Sequence, residues 1–168
     1  MERLYAPWRM AYIEQPQRDT IEQNSEVTTK CVFCDKAASS DDIRSLIVHR
    51  GKTAFVLLNL FPYNNGHLLV VPYLHTARLS DLDDETSLEL WTLAKRAQTA
   101  LDITMHPEGY NLGMNLGTVS GAGIADHLHL HIVPRWNGDT NFMPVLADVK
   151  VLPDALENSC RKLRAAWK

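Results

Sequence analysis

The chain has 168 residues, 45% of them hydrophobic and 22% charged, with a formal net charge of −3. That length suits one domain with a sizeable core and is short for two; the charge offers no basic face for nucleic acid. No apolar run reaches the roughly 18 residues of a membrane span. Residues 1–15 lack an apolar stretch of the secretory kind, and an odd cysteine count argues against a disulfide framework, so the expected compartment is the cytoplasm.

Residues 1–30 read as an N-terminal arm, polar and without a period from Pro16 onward, and residues 31–168 as a single domain. The domain opens on Cys31-Val-Phe-Cys34, followed by a polar turn at residues 39–42. Residues 45–48 form a short predicted strand, Arg50-Gly51-Lys52 a turn, and residues 53–59 a second strand, apolar enough to be central. A loop with Pro62 and the turn signal Asn65-Gly66 leads to a third strand at residues 67–71, stopped by Pro72. An acidic start at residues 80–85 precedes Leu88, Trp91, Ala94, Ala97 and Leu101 at helical spacing. This predicts a helix over about 84–104, closed by Pro107 and Gly109. Residues 110–116 form a fourth strand and residues 117–123 a loop with three glycines. Residues 127–133 form a fifth strand, ended by Pro134, and a C-terminal helix covers about 154–167. Three strands, a long helix and two more strands is not a parallel α/β alternation. It predicts an α+β fold with a five-stranded antiparallel sheet, a long helix and a C-terminal helix.

The sharpest motif is His127-Leu-His129-Leu-His131-Ile-Val. On a strand, the period of two puts three imidazoles on one face and Leu128, Leu130 and Ile132 on the other. The leucine face is expected in the core and the histidine face along a surface or cleft. Besides a merely polar strand face, two chemistries fit. Two or three imidazoles can bind a catalytic metal. Alternatively the middle one is a nucleophile toward phosphorus, which requires an attacking nitrogen held in one tautomer and donors for the phosphoryl oxygens. Gly117, Gly121 and Gly123 just upstream allow backbone N–H groups to approach an anion, and Asn115 adds a neutral donor.

Cys31-x-x-Cys34 has the spacing of half a zinc site, or of a redox pair. Cys160 lies on an amphipathic helix and reads as a packing residue. A structural zinc would need two further ligands, for which His75 and His127 are candidates.

Together these segments resemble the histidine triad (HIT) superfamily. Residues 127–133 match its alternating histidine signature. Asn59-Leu-Phe-Pro-Tyr-Asn-Asn-Gly66-His67-Leu-Leu-Val-Val-Pro72 is similar to its nucleotide-binding hairpin, and Cys31-Val-Phe-Cys34 to the knuckle of its zinc-bearing bacterial members. The segments Tyr5-Ala-Pro-Trp-Arg-Met10 and Asn115-Leu-Gly-Thr through His127-Leu-His to Val133-Pro-Arg-Trp136 resemble a longer bacterial branch that includes diadenosine tetraphosphate phosphorylase-like proteins. The resemblance implies a HIT-like fold and a homodimer with a sheet continuous across the two-fold. It implies a nucleotidyl hydrolase or transferase acting on the α-phosphate of a dinucleoside polyphosphate or nucleoside phosphoramidate, with adenine the expected base. His129 would be the nucleophile, forming a nucleotidyl-histidine intermediate, and His131 would donate to the phosphate or the leaving group. Phe33 and Leu60 would lie at the base, Asn59 at the ribose, and Asn115, Gly121, Gly123 and His131 at the phosphate. Cys31, Cys34, His75 and His127 would hold a structural Zn2+. The other readings are a zinc metallohydrolase with the triad as catalytic ligands, and a nucleotide-binding module with weak catalysis. One departure stands out: the family often has Gln, Ser or Thr just before the first histidine, where this chain has Gly123-Ile-Ala-Asp126. No leaving-group acid is evident there. His67 reads as a packed histidine at a strand start, and His49 and His106 as surface or turn residues.

Overall fold

The computed structural model describes residues 31–139 and 154–168. The expected N-terminal arm, residues 1–30, lies outside the described residues. In chain order the elements are α1 (Val32–Ala38), β1 (Ile47–Arg50), β2 (Ala54–Leu58), β3 (Leu68–Pro72), α2 (Asp84–Met105), β4 (Gly109–Met114), β5 (Leu130–Arg135) and α3 (Leu156–Ala166). The strands form one antiparallel sheet in the order β1-β2-β3-β5-β4. This is the α+β arrangement the pattern predicts, with a long and a C-terminal helix.

Alternation along the strands divides the sheet into two faces. Val56, Leu58, Leu68, Val70, Leu130 and Ile132 pack with Leu90, Leu93, Ala97 and Leu101 of α2 and Cys160 and Leu163 of α3. Phe55, Leu57, Leu69, Val71 and Ile47 point the other way, against Phe33 of α1. Every residue of β2 and β3 is therefore buried, which is why both read as continuous apolar runs. His131 pairs with Leu69 and with Gly113, so its side chain lies on the α1 face.

Helix α2 starts where its acidic signal predicts. Asp83 caps it by accepting the Thr86 N–H at 2.8 Å, and His106 closes it in a left-handed conformation, φ 48°. Cys160 is fully buried in the core, the packing position expected of it.

Several boundaries differ from expectation for local reasons. Leu46 has φ 61°, and residues 42–46 form a turn in which Ile47 N–H donates to Asp42 O at 2.7 Å. An L-residue with that φ cannot continue a strand, so β1 begins at Ile47 rather than at residue 45 and runs through Arg50. The fifth strand begins at Leu130, not at His127. Val70 pairs with Leu130, and the same register carried on would set Val71 against His129 and then Pro72 against Leu128. Pro72 has no N–H to give, and its carbonyl instead accepts from the His127 ring, so the ladder stops. Pro134 does not end the strand. It pairs with Tyr110 of β4 beyond the last β3 pair, where its missing N–H costs no ladder bond to β3. Cys31 is the residue before α1, and Cys34 lies in its first turn.

Candidate active site and metal centre

The three triad histidines do not share an open strand face. His127 and His129 lie before β5 and are buried, 1% and 6% exposed, while His131 is half-buried within the strand. Phe33 covers them: its ring centroid is 5.4 Å from that of His127 and 5.1 Å from that of His129. The alternation places the imidazoles on one side; α1, laid over that side, buries them.

Hydrogen bonds to backbone carbonyls assign the tautomers. His129 Nδ1 lies 2.8 Å from the carbonyl of His127, so Nδ1 carries the proton and Nε2 keeps a lone pair. His127 Nε2 lies 2.9 Å from Pro72 O and must donate, which leaves Nδ1 as the lone pair. That Nδ1 faces Cys31 Sγ at 3.2 Å, Cys34 Sγ at 3.6 Å and His75 Nδ1 at 3.1 Å. Cys34 Sγ is in turn 3.4 Å from His75 Nδ1.

His67 is fully buried and is more than a packed side chain. The Tyr63 N–H donates to its Nδ1 at 3.1 Å, and Asn59 Nδ2 lies 3.3 Å from the same atom. Nδ1 is therefore an acceptor, and Nε2 donates to His131 Nδ1 at 3.0 Å. His131 then carries its proton on Nε2, which is buried without a partner. A lone pair on His129 and an N–H on His131 stand on rings 4.7 Å apart. Sequence reasoning missed His67 as a site residue; the signal for it was its place at the end of the Asn59–Gly66 hairpin, not a histidine period.

The remaining expected residues are placed unevenly. Asn59 is half-buried beside His67, its Oδ1 accepting the Phe61 N–H at 3.1 Å. Leu60 is exposed on the same loop. Asn115 Nδ2 donates to Gly121 O at 3.4 Å, so it braces the glycine loop from within. Gly117 and Gly121 adopt φ of 79° and 83°, which a side chain would resist, while Gly123 is exposed.

Cys31, Cys34, His75 and His127 place one donor atom each within 4.8 Å of one another. In a tetrahedral zinc site with bonds of about 2.0–2.3 Å, donors lie about 3.3–3.8 Å apart. The 3.1–3.6 Å separations here come close to that spacing, and the Cys2His2 set is the chemistry zinc prefers. The His127 Nε2–H···O=C bond is the outer contact that fixes a ligating imidazole. His127, His129 and His131 do not form such a group among the described residues. His131 Nδ1 is already taken up by His67, which argues against a metal held by the triad.

Burial pushes all three triad histidines toward neutrality. His131 falls to about 4, through desolvation first and then the nearby His129; His127 and His129 are lowered by the same first cause. An unfolded chain takes up a proton at residue 131 as pH drops below 6.5, while the folded protein does so only near 4. Stability supplied by a neutral His131 is therefore present above 6.5 and lost between those values, by up to about 3 kcal/mol. Urea melts of His131→Gln should show that much less loss between pH 7 and pH 4 than wild type. Superimposable pH curves would contradict the assignment.

Known proteins resemble this chain in sequence and in fold. The HIT domain family model matches residues 40–138. An AP-4-A phosphorylase of Mycobacterium tuberculosis is 41% identical over 169 residues, covering 99% of this chain and 85% of its own. Adenosine 5'-monophosphoramidase hnt1 of Schizosaccharomyces pombe is 31% identical over 107 residues, 64% of this chain and 75% of its own. Among solved structures, a Zn-bound histidine triad family protein from Mycobacterium smegmatis superposes with a TM-score of 0.65. It is 32% identical and covers 82% of this chain and 92% of that one. With the triad, the buried tautomer network and these matches in agreement, the chain belongs to the HIT family and is an enzyme of it.

Proposed function

We propose that the protein transfers the adenylyl group of an adenine nucleotide, with diadenosine tetraphosphate as the leading substrate, through a covalent intermediate on His129. The observation that carries this reading is the tautomer pair: His129 offers an Nε2 lone pair while neighbouring His131 offers an unpartnered Nε2–H. In the first step the His129 Nε2 lone pair attacks the α-phosphorus, and the bond from phosphorus to the bridging oxygen breaks. That oxygen leaves on ATP with the bonding electron pair, while His131 Nε2–H donates to a phosphate oxygen as charge builds. In the second step an oxygen of inorganic phosphate attacks the same phosphorus. The P–N bond breaks, its electrons return to Nε2, and ADP is released. The 41% identity to an AP-4-A phosphorylase supports phosphate as the acceptor.

Phe33 and Leu60 would contact the base and Asn59 the ribose, with Asn115 and the Gly121–Gly123 backbone at the α-phosphate. A bound Zn2+ would serve as a structural cross-link among Cys31, Cys34, His75 and His127. The Zn-bound relative from Mycobacterium smegmatis supports that assignment. A cytoplasmic homodimer completes the reading. The exposed edge of β4, with Leu112 42% exposed, and Leu88 and Trp91 on α2 supply an apolar face for the second copy. Among the described residues no helix is long and apolar enough to cross a membrane.

Product analysis tests the reading. With diadenosine tetraphosphate and phosphate, ADP and ATP are expected in equal amounts; with water as acceptor, AMP and ATP. Nucleotide binding with no product from either this substrate or adenosine 5'-monophosphoramidate would reduce the protein to a binding module.

A further inference from the structure

We infer that Asn64 is a positioning residue that sets the tautomer of His131 from outside the site. Asn64 sits in the loop between β2 and β3 and is 8% exposed. Its Nδ2 donates to Pro134 O at 3.1 Å and to Asp139 Oδ2 at 2.7 Å. Asp139 is itself held from several sides. Arg135 Nε donates to Oδ2 at 2.6 Å, Arg135 Nη2 to Oδ1 at 2.9 Å, and the Trp136 N–H to Oδ2 at 3.2 Å. Arg135 also donates to Asn111 Oδ1 at 2.8 Å, tying the cluster to β4. The loop is thus fastened to the far end of β5 by a charge-assisted network.

From that anchor the chain of bonds runs inward. Asn64 O accepts the His67 N–H at 3.2 Å, and the adjoining Tyr63 N–H donates to His67 Nδ1. A backbone N–H can only donate, so this bond forces the His67 proton onto Nε2. That proton goes to His131 Nδ1 and forces the His131 proton onto Nε2. The Tyr63 ring stacks over the pair, its centroid 4.8 Å from that of His67 and 5.9 Å from that of His131. Two consecutive residues therefore do different work: Asn64 fixes the backbone, and Tyr63 N–H reads that position into the imidazoles. If the loop shifts, His67 can invert, and His131 can then turn a lone pair rather than an N–H toward the phosphate.

The catalytic half of this inference rests on the proposed adenylyl transfer; the tautomer half does not. The test uses full-length, zinc-loaded protein labelled with 15N-histidine. Long-range 1H–15N spectra of the nucleotide-free protein at pH 7.5 give the tautomer of each ring, with signals assigned through His67→Gln and His131→Gln. Wild type should show protons on Nε2 of both His67 and His131. Asn64→Ser should show averaged tautomers at His131 and a kcat about tenfold lower, with KM for diadenosine tetraphosphate within about twofold. Asp139→Asn, which keeps the shape and removes the charge, should move both readouts the same way by less, and it carries the test alone if Asn64→Ser does not fold. Wild-type His131 protonated on Nδ1 would overturn the inference. So would variants whose tautomers, or whose kcat, match wild type. An inactive wild type with the expected tautomers would instead strike the proposed function and leave the positioning of His131 standing.

Discussion

In His129→Ala, turnover of diadenosine tetraphosphate is expected to fall by about 10^4-fold or more, the scale at which removing a covalent nucleophile acts. His129 is 6% exposed and bonded through Nδ1 to the carbonyl of His127, so its Nε2 lone pair is held ready on a rigid ring. Truncation also removes a ring packed against Phe33 and His131. Such a loss of packing and of one buried hydrogen bond costs on the order of 2–4 kcal/mol. His129→Gln, which fills more of the space, separates the two effects: it should recover part of the stability and none of the turnover. The variants are compared at temperatures where circular dichroism shows both fully folded. Activity above a hundredth of wild type in either would show that another group attacks phosphorus.

Removing the metal is expected to act on stability first. The four proposed ligands join the start of α1, the segment after β3 and the stretch that leads into the proposed nucleophile, His129. A metal present at about a thousand times its Kd stabilises by about 4 kcal/mol, which in a chain of this size corresponds to a Tm lower by about 10 °C on chelation. His129 does not take its orientation from the metal directly. Its Nδ1–H bonds to the backbone of residue 127, and the His127 ring keeps its own bond to Pro72 O. Chelated protein that is still folded should therefore retain turnover within about tenfold of the loaded protein. Cys31→Ser should lose the metal and show the same lowered Tm. Turnover abolished in folded, chelated protein would place the metal in the chemistry. Metal retained at full occupancy by Cys31→Ser would place it elsewhere.

Much of this site was legible from residue spacing, and the reasons it was not all legible are local. The period of two in residues 127–131 put the imidazoles opposite the leucines, and Leu130 and Ile132 do reach the core. Periodicity cannot say whether the polar face is covered. Here Phe33, on a seven-residue helix too short to announce itself, closes over it. The strand start was misread because Pro72 ends the ladder from the neighbouring strand, a fact of register and not of residues 127–129 themselves. The misplaced β1 start follows from the left-handed Leu46, a conformation leucine rarely adopts and sequence seldom signals. By contrast, α2 carried its own cap at Asp83 and its boundary was read to within a residue. The Cys31, Cys34, His75 and His127 group could be proposed from ligand type, but residues 75 and 127 are brought together by pairing across the sheet. For His67 the only signal was its place at the end of the Asn59–Gly66 hairpin, because its bonding depends on a backbone N–H four residues away.

The most direct measurement of the central claim is to trap the intermediate. Wild-type protein is mixed with diadenosine tetraphosphate labelled at the α-phosphorus, without phosphate, and quenched within milliseconds under alkaline conditions that preserve P–N bonds. Peptide mass spectrometry should then find one adenylyl group on His129, absent in His129→Gln and discharged as ADP when phosphate is added before the quench. Steady turnover with no label on the protein, or label on a different residue, would contradict the account.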